Sequence, residues 1–227
     1  MQARILTVFK TIVRLITFRL TREEFLQFNL DYLMVGIVCT WLVGIGRTLH
    51  NSRVEWWQHL GLGSVAYIFV LSLLLWLLLL PLRIQKLSYW HILTFVSLTS
   101  PTGFIYAIPV EAFLSFDAAT SARFWFLGGV ATWRVALWAF YLKRFCQLPG
   151  FSAFVVCVLP LCFIVALLTI LNLDKVVFDI MGGGSHTTDD GAYMFLFLIT
   201  ALSVYAFIPL VLMYVGIICQ KRIKPNS

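Results

Sequence analysis

The chain has 227 residues, of which 61% are hydrophobic and only 12% charged, with a mean hydropathy of +0.92. A soluble domain is about half apolar and about a quarter charged, so this composition excludes a compact water-soluble monomer, a disordered chain and a disulfide scaffold. The net charge of +7 would point to nucleic acid in a soluble protein; here membrane orientation accounts for it, and no nucleic-acid partner is expected.

The first element is an N-terminal helix. Thr7, Lys10, Arg14 and Thr17 share one helical face, with Ile5, Phe9, Ile12, Val13 and Ile16 opposite. This pattern predicts an amphipathic helix in the cytoplasmic interface, its basic side meeting anionic lipid. Lys10, Arg14 and Arg19 interrupt any continuous apolar core of a signal peptide, and no small-residue cleavage site follows. Thr21 and Glu24 make a capping-box pattern, so a second helix is expected to start at Arg22 and lead into the first span.

A spanning helix needs about 20 mostly apolar residues. Six stretches qualify: Leu30 to Gly46, Leu62 to Leu82, Tyr89 to Ala112, Phe124 to Leu142, Phe151 to Leu173 and Tyr193 to Cys219. The first is the weakest, with Asp31 at its edge. The predicted fold class is all-α: a polytopic transmembrane helix bundle of about six spans with an N-terminal interfacial amphipathic helix. Residues 1–28 form the cytoplasmic amphipathic segment, 29–220 the bundle and 221–227 a cytoplasmic basic tail.

Lysine and arginine set the direction, because cytoplasmic loops carry an excess of them. One set of flanks holds Arg4, Lys10, Arg14, Arg19, Arg22, Arg83, Lys86, Lys143, Arg144, Lys221, Arg222 and Lys224; the other holds Arg47, Arg53, Arg123 and Lys175. This alternation predicts both termini in the cytoplasm. Cys39, Cys157 and Cys162 fall within spans, and Cys146 and Cys219 beside basic ends; none has zinc or redox spacing.

Arg134 is the sharpest polar feature. It lies mid-span in Ala131-Thr132-Trp133-Arg134-Val135-Ala136, where a charge costs at least about 2.5–3.5 kcal/mol. It must pair, snorkel or line a wet cavity, and Glu111, just after Pro109, is the expected partner. The pair is read as a structural link between the third and fourth spans, with a substrate or ion site as the alternative. The third span is itself irregular: Ser97, Thr99, Ser100, Pro101, Thr102 and Gly103 interrupt it, and Pro109 adds a second break. Ser100, Pro101, Thr102 and Pro109 therefore mark either a plain kink or a transport pathway.

Gly36, Thr40 and Gly44 recur every fourth position and allow close helix contact, as do Gly128, Ala131 and Thr132 on the fourth span. Internal packing or a dimer face would each use such a stripe. His50, His59, His186, Asp189, Asp190 and Glu55 gather on the outer flanks without helical metal spacing, so no metal site is expected. Trp56, Trp57, Tyr89 and Trp90 read as interfacial anchors. No catalytic or nucleotide motif is present, so no catalytic residue and no cofactor are assigned.

The stretches Cys39-Thr40-Trp41-Leu42-Val43-Gly44-Ile45-Gly46-Arg47, Tyr106-Ala107-Ile108-Pro109-Val110-Glu111 and Thr132-Trp133-Arg134-Val135-Ala136-Leu137 resemble segments of uncharacterised bacterial inner-membrane proteins. The general layout is similar to that of the Yip1-type polytopic membrane proteins, from which no motif residue carries over. The resemblance implies a bacterial inner membrane and draws attention to Glu111 and Arg134. Two functions are expected: a non-enzymatic scaffold or regulator of a membrane partner, or a small-solute or ion transporter. A membrane-protein partner or a second copy would serve the first.

Overall fold

The computed structural model describes residues 2–48, 60–108, 113–171 and 190–223. These form α1 (Gln2–Ile16), α2 (Arg22–Leu26), α3 (Leu30–Thr48), α4 (Leu62–Leu79), α5 (Tyr89–Leu98), α6 (Phe116–Arg144), α7 (Gly150–Ile170) and α8 (Asp190–Ile223). Short 3-10 segments, Leu80–Leu82 and Ser100–Ala107, continue α4 and follow α5. Among the described residues the chain is helical without a strand.

Three of the helical segments are long and apolar enough to cross a membrane: Leu62–Leu82, Gly150–Ile170 and Phe197–Lys221. The chain is thus an integral membrane protein by length and composition. The other expected spans differ for separable reasons. Leu30–Gly46 is apolar but short. The third stretch is not one α-helix, because α5 ends at Leu98 and a 3-10 segment takes over. α6 runs for 29 residues, but Arg134, its glycines and its tryptophans dilute its apolar character.

α3 packs on α5 and on the 3-10 segment after it, α4 packs on α3 and α5, and α7 joins α6, α4 and α8. The ends of α4 and α8 lie together. The Tyr214 hydroxyl donates to the Leu78 carbonyl, and Lys221 Nζ donates to that of Leu82 at 3.4 Å. Basic residues cluster at this end of the bundle.

The capping box forms as the sequence predicts. The Glu24 amide donates to the Thr21 hydroxyl, and the Thr21 amide donates to Glu24 Oε2 at 2.8 Å. The helix it starts stops at Leu26 and does not run into α3, whose new start is marked by Asn29 Oδ1 accepting the Asp31 amide at 3.0 Å. α1 buries Val8, Thr11, Ile12 and Leu15 and leaves Leu6, Phe9 and Val13 outward. The inward face is therefore rotated from the expected one: α1 is apolar around most of its girth, and its best-packing row faces the protein.

The N-terminal segment is pinned by three contacts. Arg14 Nη1 pairs with Glu24 Oε1, Trp133 Nε1 donates to the Ile16 carbonyl at 3.2 Å, and the Phe18 ring meets Trp133 and Phe140. Phe25 is the anchor. It is fully buried among Phe28, Phe95, Phe140, Tyr141 and Phe145, edge-on to Tyr141 at 5.3 Å.

Burying a phenyl ring and losing it to a cavity costs about 3–5 kcal/mol. Phe25→Ala should lower stability by that order in a detergent-unfolding titration. Phe113→Ala, at a ring 82% exposed, should change it little. Equal effects would remove the anchor role of Phe25.

Candidate functional site

The polar break after α5 is built from local chemistry. Pro101 has no amide to give and follows Thr99 and Ser100, whose hydroxyls compete for backbone carbonyls. Three hydroxyls fold back on the turn behind them: Ser97 on Thr94 at 2.9 Å, Thr99 on Val96 at 2.7 Å and Thr102 on Thr99 at 2.7 Å. The Thr99 amide reaches Phe95 and Val96 at 3.2 Å each. Carbonyls loosened by the change of helix type are thus met by side chains of the same turn.

Ser100 faces α3 instead. Its Oγ lies 2.6 Å from Thr40 Oγ1, and Thr40 donates its single proton to the Gly36 carbonyl at 2.8 Å, so Ser100 is the donor of the pair. Ser97 and Ser100 are fully buried and Thr40 nearly so. The small-residue stripe of α3 makes this approach possible. A methyl group on Gly36 would collide with the Ser97 side chain, and one on Gly44 would meet the Gly61 carbonyl and Ser64 Oγ at 2.8 Å each. Gly61 completes the second contact with a left-handed φ of 67° against the Trp41 carbonyl, while Trp41 Nε1 donates to Leu60 at 2.8 Å. The stripe is used within the chain. The second stripe, Gly128, Ala131 and Thr132, faces outward, with nothing within 4 Å of a methyl on Gly128.

Arg134 is half-buried on α6, within electrostatic reach of the Tyr67 phenol on α4. Its neighbour Trp133 holds the end of α1. Glu111 and Pro109 lie outside the described residues, as do His50, His59, Glu55, Trp56, Trp57, His186 and Asp189. Asp190 opens α8. No group of three metal-binding side chains occurs among the described residues. Ser100, Pro101 and Thr102 come together in the 3-10 segment.

Two open grooves flank Asn29. One, about 370 Å³, is lined by Thr7, Val8, Asn29, Asp31 and Tyr32. The other, about 270 Å³, is lined by Phe28, Asn29, Leu30, Leu33, Trp90 and Thr94. Arg134 lines neither. At the basic end Cys146 is buried just beyond α6, and desolvation pushes its thiol up to about 12 against the opposing pull of Lys221 and Arg22. Sequence reasoning missed the Arg14–Glu24 pair, the Phe25 anchor and this surrounding of Cys146; only the capping box hinted that the segment around Glu24 was built.

No family model, curated protein or solved structure matches the chain. The likeness to bacterial inner-membrane proteins rests on the three quoted segments alone.

Gly36→Ala should force α3 from α5 and destabilise by about 1–3 kcal/mol, whereas Gly63→Ala, with open space around it, should be neutral or mildly stabilising. Indistinguishable unfolding curves would show the close contact to be dispensable. A thiol titrating near 12 stays protonated at neutral pH, and only the thiolate reacts. Maleimide at pH 7.5 should therefore spare Cys146 in the folded protein and label it once the chain is unfolded, and labelling of the folded protein should climb about tenfold per pH unit below the pKa. Rapid labelling of Cys146 at pH 7.5 would contradict its burial.

Proposed function

We propose that the protein is a non-enzymatic integral membrane scaffold or regulator of a membrane partner. In this reading it has six spans, lies in a bacterial inner membrane and keeps both ends of the sequence in the cytoplasm. The observation that carries it is the self-contained break after α5. Its hydroxyls are spent on its own carbonyls and on Thr40, which suits tight packing more than the passage of a solute. The alternation of basic flanks supports the six spans and the orientation. α1 lies against the bundle with Leu6, Phe9 and Val13 outward beside Lys10, an arrangement suited to the lipid interface and anionic headgroups. Arg134 and Glu111 are then a structural pair between the third and fourth spans.

The second reading is a small-solute or ion transporter, favoured by one observation: a half-buried arginine within α6. Intramembrane charge marks pathways in many transporters.

Single cysteines at Ser100 and Thr102 in a cysteine-free background separate the two. With a scaffold, membrane-impermeant thiol reagents added from either side should leave both unmodified. Modification from either side would demonstrate a water path and put the transporter first. In the same membranes, reporter fusions after Asn51 and Asp190 should report the outer side, and those after Gln85 and Cys146 the cytoplasm. A single inverted result overturns the six-span orientation.

A further inference from the structure

The two grooves beside Asn29 share a wall. The larger lies between α1 and α3, the smaller between α3 and α5, and Asn29 lines both. The ring of Tyr32, in the larger, meets that of Phe28, in the smaller, at 5.4 Å. Their linings differ in kind. Thr7, Asn29, Asp31 and Tyr32 give the larger groove hydroxyl, amide and carboxylate groups, and no cationic side chain is among its walls. Phe28, Leu30, Leu33 and Trp90 give the smaller one aromatic and aliphatic walls. A molecule laid across Asn29 meets a polar surface at one end and an apolar surface at the other.

Two side chains here have protons to give. Asn29 Oδ1 accepts the Asp31 amide at 3.0 Å, which commits its oxygen, while its Nδ2 protons meet no acceptor among the described residues. Thr94 lines the smaller groove at only 3% exposure, and its hydroxyl makes no hydrogen bond among the described residues. A buried hydroxyl in that state is uncommon in a folded protein and calls for a partner. In a groove that is otherwise apolar, the fitting partner is an acceptor oxygen carried on an aliphatic chain. The other end asks for the opposite. The Asp31 carboxylate offers acceptor sites and no proton, so it suits a group that brings N–H donors and positive charge. The face of the Tyr32 ring, in the same groove, also attracts a cation.

We propose that the two grooves form one binding site for a phospholipid with a primary-amine headgroup. Its ammonium meets Asp31 and Tyr32, an acyl chain lies against Leu33 and Trp90, and Asn29 and Thr94 donate to the oxygens of its ester linkages. Three helical segments fit to cross a bilayer put such lipid within reach of the chain. Which leaflet supplies it follows from the proposed orientation; the site depends neither on that nor on the scaffold reading.

The test uses the whole chain, purified in nonionic detergent and stripped of lipid. Native mass spectrometry follows its titration with phosphatidylethanolamine, phosphatidylcholine and phosphatidylglycerol of matched chains. One phosphatidylethanolamine should be held about tenfold more tightly than phosphatidylcholine, whose quaternary head has no N–H to donate, and more tightly than phosphatidylglycerol, which has no cation. Asp31→Asn should abolish the preference over phosphatidylcholine. Thr94→Val removes only a buried hydroxyl; it should weaken retention about fivefold while leaving unfolding stability unchanged or higher. In the unaltered chain, phosphatidylethanolamine with a photoreactive diazirine on its acyl chain should crosslink to the peptides holding Leu33 or Trp90. Equal retention of phosphatidylethanolamine and phosphatidylcholine overturns the proposal, and so does a preference that survives in Asp31→Asn. Tighter retention of phosphatidylglycerol overturns the amine assignment. Crosslinks confined to α4, α7 and α8 overturn the placement, and that result stands even if neither variant folds.

Discussion

The contact between Thr40 and Ser100 depends on a backbone problem solved beside it. A buried helix that changes type must satisfy its own loosened backbone groups, because no water reaches them. Here three hydroxyls, from Ser97 to Thr102, do so, and the fourth is left to reach across to α3. That reach fixes the spacing of the two elements. Gly36 and Gly44 are the steric counterpart, because any side chain there would hold α3 away from Ser97 and from Gly61. The arrangement of α3, α4 and α5 around one another follows from this short approach.

The N-terminal segment is joined by a different kind of force. Its bonds are few and sit at its turn: one ion pair, one capping box and one indole bond. The area lies in the aromatic cluster, where Phe25 fills the space between Phe95, Tyr141 and Phe145. Aromatic rings in edge-to-face contact add about 0.5–1.5 kcal/mol beyond the area they bury. Together they make α1 and α2 part of the bundle rather than a loose appendage. The outward row Leu6, Phe9 and Val13 remains for whatever surrounds the protein.

Helix positions were largely legible from hydropathy: the starts of α3 at Leu30 and α4 at Leu62 fall where the apolar runs begin. The reason is that transfer into lipid is paid residue by residue and sums along a run. The α2 start was legible because Thr21 and Glu24 act over three residues. What escaped is pairing at distance. Phe25 reads the same to a hydropathy window whether it meets lipid or Tyr141, and nothing local ties Arg14 to Glu24 across a turn. Ser100 announced a break, while its match with Thr40 needed the fold of both helices. Arg134 stands half-buried on α6, and its expected pairing with Glu111 lies outside the described residues.

The bond from Trp133 to the Ile16 carbonyl spans 117 residues of chain. Ribosomes add about 5–20 residues per second, so α1 emerges roughly ten seconds before its indole partner exists. Tyr141 and Phe145, which enclose Phe25, come later still. Throughout that interval α3 and Phe95 can already meet the N-terminal segment, while the rings of α6 that complete the enclosure of Phe18 and Phe25 are missing. The N-terminal segment therefore gains its full aromatic anchor only when α6 arrives. The firm attachment of α1 and α2 is thus a late event of folding, set by chain order and not by any weakness of the contacts themselves.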